Sequence, residues 1–275
     1  MSTREFIHKR VTKTVIPFVF WSIIAFIYRA STCSRQGIDF DSSIVSVIIN
    51  ILNTKYMGVY WFFIPLFAIY LSIPFVSLIK NKINIFKYMI VYTLLSYSVA
   101  PLIANLFNIS INNALQSPVS SGYMLYILLG YYIENSSFSK KLRMIIYFLA
   151  VLGWLMHFLG TLFLTQPVGP INTIFKGYLN LPCVMYSVGI FVFIKYIDFS
   201  KVKNNFFYKL INILSSLTFG IYLIHMFFVE NLPSILGLNI GSIYWRIFGA
   251  IGIFILCSGI VFLMKKIPII GKMFP

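Results

Sequence analysis

The sequence predicts an all-α fold, a polytopic membrane helix bundle of about eight transmembrane helices with both termini cytoplasmic. Three observations predict it. Eight long apolar stretches follow one another along the 275 residues. Their connectors are alternately crowded with Lys and Arg and nearly bare of them. The composition is 59% hydrophobic and only 10% charged, with a mean hydropathy of +0.88, whereas soluble domains carry roughly 25% charged residues. A water-soluble fold is excluded on those figures.

About twenty apolar residues suffice to cross a hydrocarbon core. The apolar runs fall near 14–29, 57–79, 85–108, 119–134, 142–165, 178–197, 208–231 and 242–264. The first barely reaches spanning length. The fourth carries Ser120, Ser121 and Gly122 near its start, so a tilted or partly re-entrant course is open to both. The basic start followed by an apolar run is read as a retained helix rather than a signal peptide. It contains Pro17 and Trp21 and lacks an Ala-x-Ala-type cleavage pattern.

Orientation follows from the positive charges, which are retained on the cytoplasmic side of the membrane. Seventeen of the 22 basic residues lie in alternate segments: Arg4 to Lys13, Lys80 to Lys87, Lys140 to Arg143, Lys195 to Lys209 (with Lys201 and Lys203), and Lys265 to Lys272. The remaining ones are Arg29, Arg35, Lys55, Lys176 and Arg246. The net charge of +16 is therefore dispersed along one membrane face. Membrane lipid, with its anionic headgroups, is the partner this implies, and no nucleic acid is expected.

Cys33, Cys183 and Cys257 form no CxxC pair, so neither a disulfide framework nor a metal site is indicated. There is no phosphate-binding glycine loop, no HExxH and no internal repeat of the kind that marks duplicated transporters. Residues 1–275 are read as one transmembrane domain.

Polar side chains inside apolar runs are costly, and each is a candidate for function or for a helix contact. In the seventh run Ser215, Thr218, Tyr222 and His225 recur at helical spacing and share a face. Two readings are open: the wall of a substrate cavity, or hydrogen bonding between neighbouring helices. Counted outward from Lys209, His225 is about 24 Å along the helix, in the external half of the membrane. His157 has a similar depth and shares a face with Trp154 and Thr161. It is a secondary candidate, since a single His there is more often a satisfied bundle contact. Glu230 and Arg246 end two successive runs and are expected to pair near the external surface. At the first run, His8, Lys9, Arg10 and Lys13 precede Pro17. Arg10 and Lys13 can hold phosphate groups, as cations beside free backbone donors do, or can be ordinary positive-inside charge.

Taken in order, these segments resemble the acyltransferase-3 family of bacterial integral-membrane O-acyltransferases. KRVTKTVIPFVFWS resembles the family's Arg-x-x-Arg segment leading to a proline and an aromatic helix. GVYWFFIPLFAIYLSIPFV is similar to its His/Tyr-x-Trp-Phe helix, GYMLYILLGYYIE to its Tyr-x-x-x-Gly-Tyr helix, and SSLTFGIYLIHMFF to its Ser-x-Gly-x-Tyr-x-x-His helix. The resemblance implies a multi-pass protein of the bacterial plasma (inner) membrane. Its reaction would be acyl transfer from cytoplasmic acetyl-CoA to a hydroxyl of a surface polysaccharide or lipid-linked glycan. It implies Arg10 and Lys13 for the phosphates of the donor, Trp61 and Tyr222 for the sugar, and His225 and His157 for catalysis. It also implies N-terminal shortening, because relatives carry two further helices and an essential His before the basic segment; that His is the natural holder of the general-base task, so an inactive fragment is one reading left open. Here the Arg-x-x-Arg pattern reads Arg10-Val11-Thr12-Lys13, which exchanges one planar bidentate donor for a point charge. Two other classes stay open beside the transferase: a transporter of glycan or small molecules without acyl transfer, and a structural membrane subunit.

Overall fold

A computed structural model describes residues 2–112, 115–116, 121–199 and 205–274. Ser120, Lys201 and Lys203 lie outside them. Helix is the only regular secondary structure among the described residues, which hold no strand. The helices are α1 (Thr3–Arg10), α2 (Ile16–Gln36), α3 (Ile44–Leu52), α4 (Phe63–Ile79), α5 (Ile83–Leu94), α6 (Ala100–Phe107), α7 (Met124–Glu134), α8 (Lys140–Leu164), α9 (Leu181–Lys195), α10 (Phe206–Ile235) and α11 (Ala250–Met264). Their large apolar side chains face outward as often as inward: Phe75 is 74% exposed and Phe163 77%. A lipid-facing surface accounts for this where a water-facing one does not.

Local chemistry sets the helix ends. Ser2 and Glu5 form a capping box at α1, while Ser43 and Ser139 cap α3 and α8. Gly37, at φ 67°, closes α2 in the left-handed conformation that other residues rarely adopt. Wide π turns at Val11–Val15 and Leu95–Val99 join α1 to α2 and α5 to α6. Each lies just before a proline, Pro17 or Pro101. Proline removes a donor and crowds the carbonyl four residues back, and a widened turn relieves both effects.

The eight apolar runs all contain helix, with a difference in length. Among the described residues six helices are long and apolar enough to cross a membrane: Thr3–Gln36, Gly58–Ile79, Ile83–Phe107, Lys140–Leu164, Phe206–Ile235 and Trp245–Met264. The first run, expected to be short, belongs to a continuous helix of 34 residues. The fourth is cut to Met124–Glu134, and the sixth, which gave no warning, to Leu181–Lys195. At about 1.5 Å per residue neither short helix covers a core of about 30 Å.

The chain divides into two compact units, Met1–Phe67 with Phe199–Pro275, and Ala68–Asp198, the boundary falling within α4. The first holds α1 to α3, the start of α4, α10 and α11 around an aromatic core. Phe18 lies 4.8 Å from Phe63 and 5.4 Å from Phe67 between ring centroids, and Phe63 meets Phe219 edge-on at 90°. The second holds α5 to α9. Its buried cluster joins Ile69, Phe86, Met89, Met124, Leu125, Leu128 and Val184, and α8 and α9 approach closely at glycines. A Cβ at Gly153 would come within 2.7 Å of Met185 Cβ and 2.8 Å of Pro182 O, and one at Gly189 would overlap Ala150 Cβ.

Candidate functional site

Arg10, Lys13, Trp61, Tyr222 and His225 all belong to the first unit. Its central feature is a short 3-10 segment, Gly58–Phe62, laid against α10. Tyr60 is 1% exposed and donates its hydroxyl to Leu223 O at 2.7 Å. Tyr222 returns the contact, donating to Val59 O, with its ring edge-on to Phe62 and Phe63. Trp61 follows Tyr60 directly and is 36% exposed. Of the polar stripe on α10, Thr218 donates within its own helix to Ser215 O, and Tyr222 alone of the four is bonded to another element by these contacts.

His225 is half-buried one turn beyond Tyr222. Its Nδ1 lies 2.8 Å from Tyr222 O and 3.3 Å from Ile221 O. Carbonyl oxygens only accept, so Nδ1 carries a proton, and in a neutral ring the lone pair falls on Nε2. The helix backbone thereby sets both the tautomer and the orientation of the ring. The rings of Tyr222 and His225 are 5.8 Å apart.

Lys265, the first residue past α11, donates its ammonium to Ser216 O at 2.8 Å. The bond ties the end of α11 to α10 ten residues past the start of α10, and His225 follows Ser216 by about 14 Å along the helix.

Arg10 and Lys13 flank the start of the first π turn. The Arg10 guanidinium sits 5.0 Å over the Phe6 ring. Lys13 is exposed, and its charge acts on Lys265. The Lys265 ammonium is held below the ordinary lysine range, first by burial and then by repulsion from Lys13.

Glu230 does not pair with Arg246. It accepts from Arg29 Nη2 at 2.6 Å and from the Tyr28 hydroxyl at 3.2 Å. Arg29 also donates through Nε to Tyr56 O, and Asn231 bridges the Tyr28 hydroxyl and Phe227 O. Arg246 is exposed in the π turn Trp245–Gly249. The planar guanidinium can serve a carboxylate and a carbonyl at once, and the end of α2 presents it to α10 where Arg246 does not reach. Sequence reading missed Tyr60, the Arg29–Glu230 pair and Lys265. The available signal for the pair was that Arg29, one of five basic residues outside the cytoplasmic set, ends the span that packs on α10.

His157 belongs to the second unit. Its ring meets Tyr186 edge-on at 5.9 Å, and its Nδ1 and the Thr161 hydroxyl are buried without a hydrogen-bond partner among the described residues. Those residues hold no group of three His, Cys, Asp or Glu side chains arranged to bind a metal.

Neither the curated proteins nor the solved structures compared with this sequence gave a match. The family described as an acyltransferase domain matches residues 1–262, which takes in the basic segment, the Gly58–Phe62 turn and all of α10. With its apolar helices and a family match over residues 1–262, the chain belongs to the acyltransferase-3 family of multi-pass membrane acyltransferases.

Proposed function

We propose that the protein moves an acyl group from acetyl-CoA, presented at the cytoplasmic face of a bacterial inner membrane, to a hydroxyl of a cell-surface polysaccharide or its lipid-linked precursor. His225 carries this reading, because its Nδ1 is tied to Tyr222 O and its Nε2 keeps the lone pair a general base needs. The acceptor hydroxyl attacks the thioester carbonyl carbon while its proton passes to Nε2. The carbon–sulfur bond then breaks, and the imidazolium returns the proton to the departing sulfur. A base of this kind lowers the barrier by about 3–5 kcal/mol.

Arg10 and Lys13 neutralise the donor's phosphates at the basic end of the first unit. Trp61 offers a face on which a sugar stacks, and Tyr222 holds the Gly58–Phe62 turn that presents it. His157 is the second candidate base, in the other unit.

The test is label transfer from acetyl-CoA into extracted glycan, using membranes that carry the chain or its His225→Ala variant. Label that depends on the chain and is lost with His225 supports the reading. Equal label in both returns His225 to a helix contact, and glycan flux into vesicles without any acyl donor moves the protein to the transporter class.

A further inference from the structure

The first unit contains a void that its own side chains do not fill. About one turn each of α2, α10 and α11, with the chain that follows α11, walls a cavity of 320 Å³. Its lining is apolar throughout, and Trp21, Ile24, Phe228, Met264, Ile270 and Phe274 are among the side chains that form it. Trp21 brings the wall its one side-chain N–H, which is turned onto Met273 O at 3.1 Å. The Trp21 ring lies 5.1 Å from that of Phe274 and 6.3 Å from that of Phe227, so one side of the cavity is aromatic. Phe20 and Ile270 are lining residues and exposed, so the cavity opens outward.

Protein interiors pack to the density of organic crystals, and a void of this size left empty forfeits the contacts of every side chain around it. Water does not fill it, because a buried water needs two or more polar partners and the wall presents none. Hydrocarbon does, and the walls say where it comes from: α2, α10 and α11 belong to three of the helices long and apolar enough to cross a membrane. At roughly 30 Å³ for each chain carbon, near the share of one water molecule, there is room for about ten carbons, which is one acyl chain of one lipid. The same walls set the headgroup. Met264 is followed at once by Lys265 and Lys266, and Lys272 stands between Ile270 and Phe274. Lys265 is turned inward onto Ser216 O, whereas Lys266 and Lys272 are exposed, with Lys266 over the Phe262 ring at 4.6 Å. The sequence from Lys265 to Pro275 contains no acidic residue.

We propose that this cavity holds one acyl chain of an anionic phospholipid, whose phosphate is met by Lys266 and Lys272. The apolar wall selects the chain, and charge complementarity selects the head. A zwitterionic lipid supplies the same chain but brings a cation of its own to two lysines. Ile224 and Phe228 of the wall stand on either side of His225 in the sequence, so an occupied cavity also steadies the part of α10 that carries it. The site is separate from the acyl-transfer reading, and its test uses no acyl donor.

Trp21 reports on the cavity by fluorescence. With Trp61, Trp154 and Trp245 each replaced by Phe, it is the one tryptophan left. That chain is reconstituted into phosphatidylcholine vesicles holding rising fractions of brominated phosphatidylglycerol or brominated phosphatidylcholine, since bromine on a chain quenches an indole only at contact. Half-quenching should come at a fraction of phosphatidylglycerol roughly 25-fold lower than of phosphatidylcholine, about fivefold for each lysine. Lys266→Gln with Lys272→Gln should bring the two lipids level, and Lys266→Arg with Lys272→Arg should keep the preference and controls for the fold. Ile24→Phe, which takes up cavity volume, should lower quenching by phosphatidylglycerol to the level set by its share of the bilayer. On the chain with all its tryptophans, native mass spectrometry should show one phosphatidylglycerol retained in preference to phosphatidylcholine. Equal quenching by the two lipids, a preference that survives the two Lys→Gln changes, or no preference in the retained lipid overturns the proposal.

Discussion

The two units hold their helices together by different means, and each contains one candidate histidine. In the first, long helices are joined by side chains that reach across: the Phe18–Phe63–Phe219 ring cluster, the Tyr60 and Tyr222 bonds with their opposite strands of backbone, and the Arg29–Glu230 pair. In the second, Lys195 of α9 also reaches the carbonyls at the end of α7, but the closest pair, α8 and α9, comes together because Gly153, Gly189 and Ala150 leave room for backbone. Membrane helices gain little from hydrophobic burial against one another, so polar bonds and close packing are the two means open to them. Fixed polar bonds can orient a reacting group, which close apolar packing cannot. His225 has its tautomer set by the helix, while the Nδ1 of His157 is buried without a partner among the described residues.

The largest expected effect tests that contrast between the histidines. Replacing His225 by Ala should lower acyl transfer about 10²- to 10⁴-fold, the usual worth of a positioned base. The same change at His157 should leave the rate within about tenfold while altering stability, because it removes a buried unbonded polar atom. A loss of rate at His157 as large as that at His225 would place chemistry in both units and break the comparison.

Next in size is the close contact in the second unit. Gly189→Val puts side-chain volume where a Cβ already overlaps Ala150, and should cost about 1–3 kcal/mol by overpacking. Thermal unfolding in micelles measures it. A neutral Gly189→Val would mean that α8 and α9 are free to separate, and that packing is not what holds this unit.

For the first unit the matching change is Glu230→Gln, which leaves Arg29 with a neutral partner. The side chains of the pair are 33% and 26% exposed, so the full penalty of a buried ion does not apply. A loss of about 1–2 kcal/mol is expected from the weakened charged hydrogen bond. Arg246→Gln, which touches neither residue, should change nothing measurable. The opposite ranking of the two variants would restore the pairing that the sequence suggested.

How much of this was legible follows from which forces act locally. The eight apolar runs were visible because lipid obliges each buried backbone segment to satisfy its own hydrogen bonds, and a helix does so within consecutive residues. The shortening of the sixth run to Leu181–Lys195 was not visible. The helix starts at Leu181, beside Pro182, and ends at Lys195, whose ammonium bonds the Ile133, Glu134 and Ser136 carbonyls more than fifty residues away. Glu230 found Arg29 across a separation of 201 residues, which no periodicity encodes. The stripe from Ser215 to His225 was legible as one helical face, but a helix of 30 residues is about 45 Å long, well beyond a core of about 30 Å, so spacing alone does not set its depth. Lys265 itself was hidden by a sufficient explanation, since a cation after the last span satisfies the charge rule whether or not it binds anything.

The smallest effect concerns that lysine and the sign of a pH dependence. Burial, and then the charge of Lys13, make folded Lys265 give up its proton at a lower pH than an unfolded lysine does. Between its lowered value and the ordinary lysine value of about 10.4, the unfolded chain binds more protons than the folded one. Stability from this group therefore rises with pH across that window. Below it the cost of the charged, crowded ammonium is present in full, and above it the cost is gone. Lys265→Gln has no such proton, so the difference in melting temperature between variant and wild type should narrow as pH climbs through the window. The shift is small because the side chain is only half-buried and solvent screens it. A melting-temperature difference that stays constant across the window would mean that the crowding at Lys265 carries none of the pH dependence, and would leave its bond to Ser216 O as its whole part in the first unit.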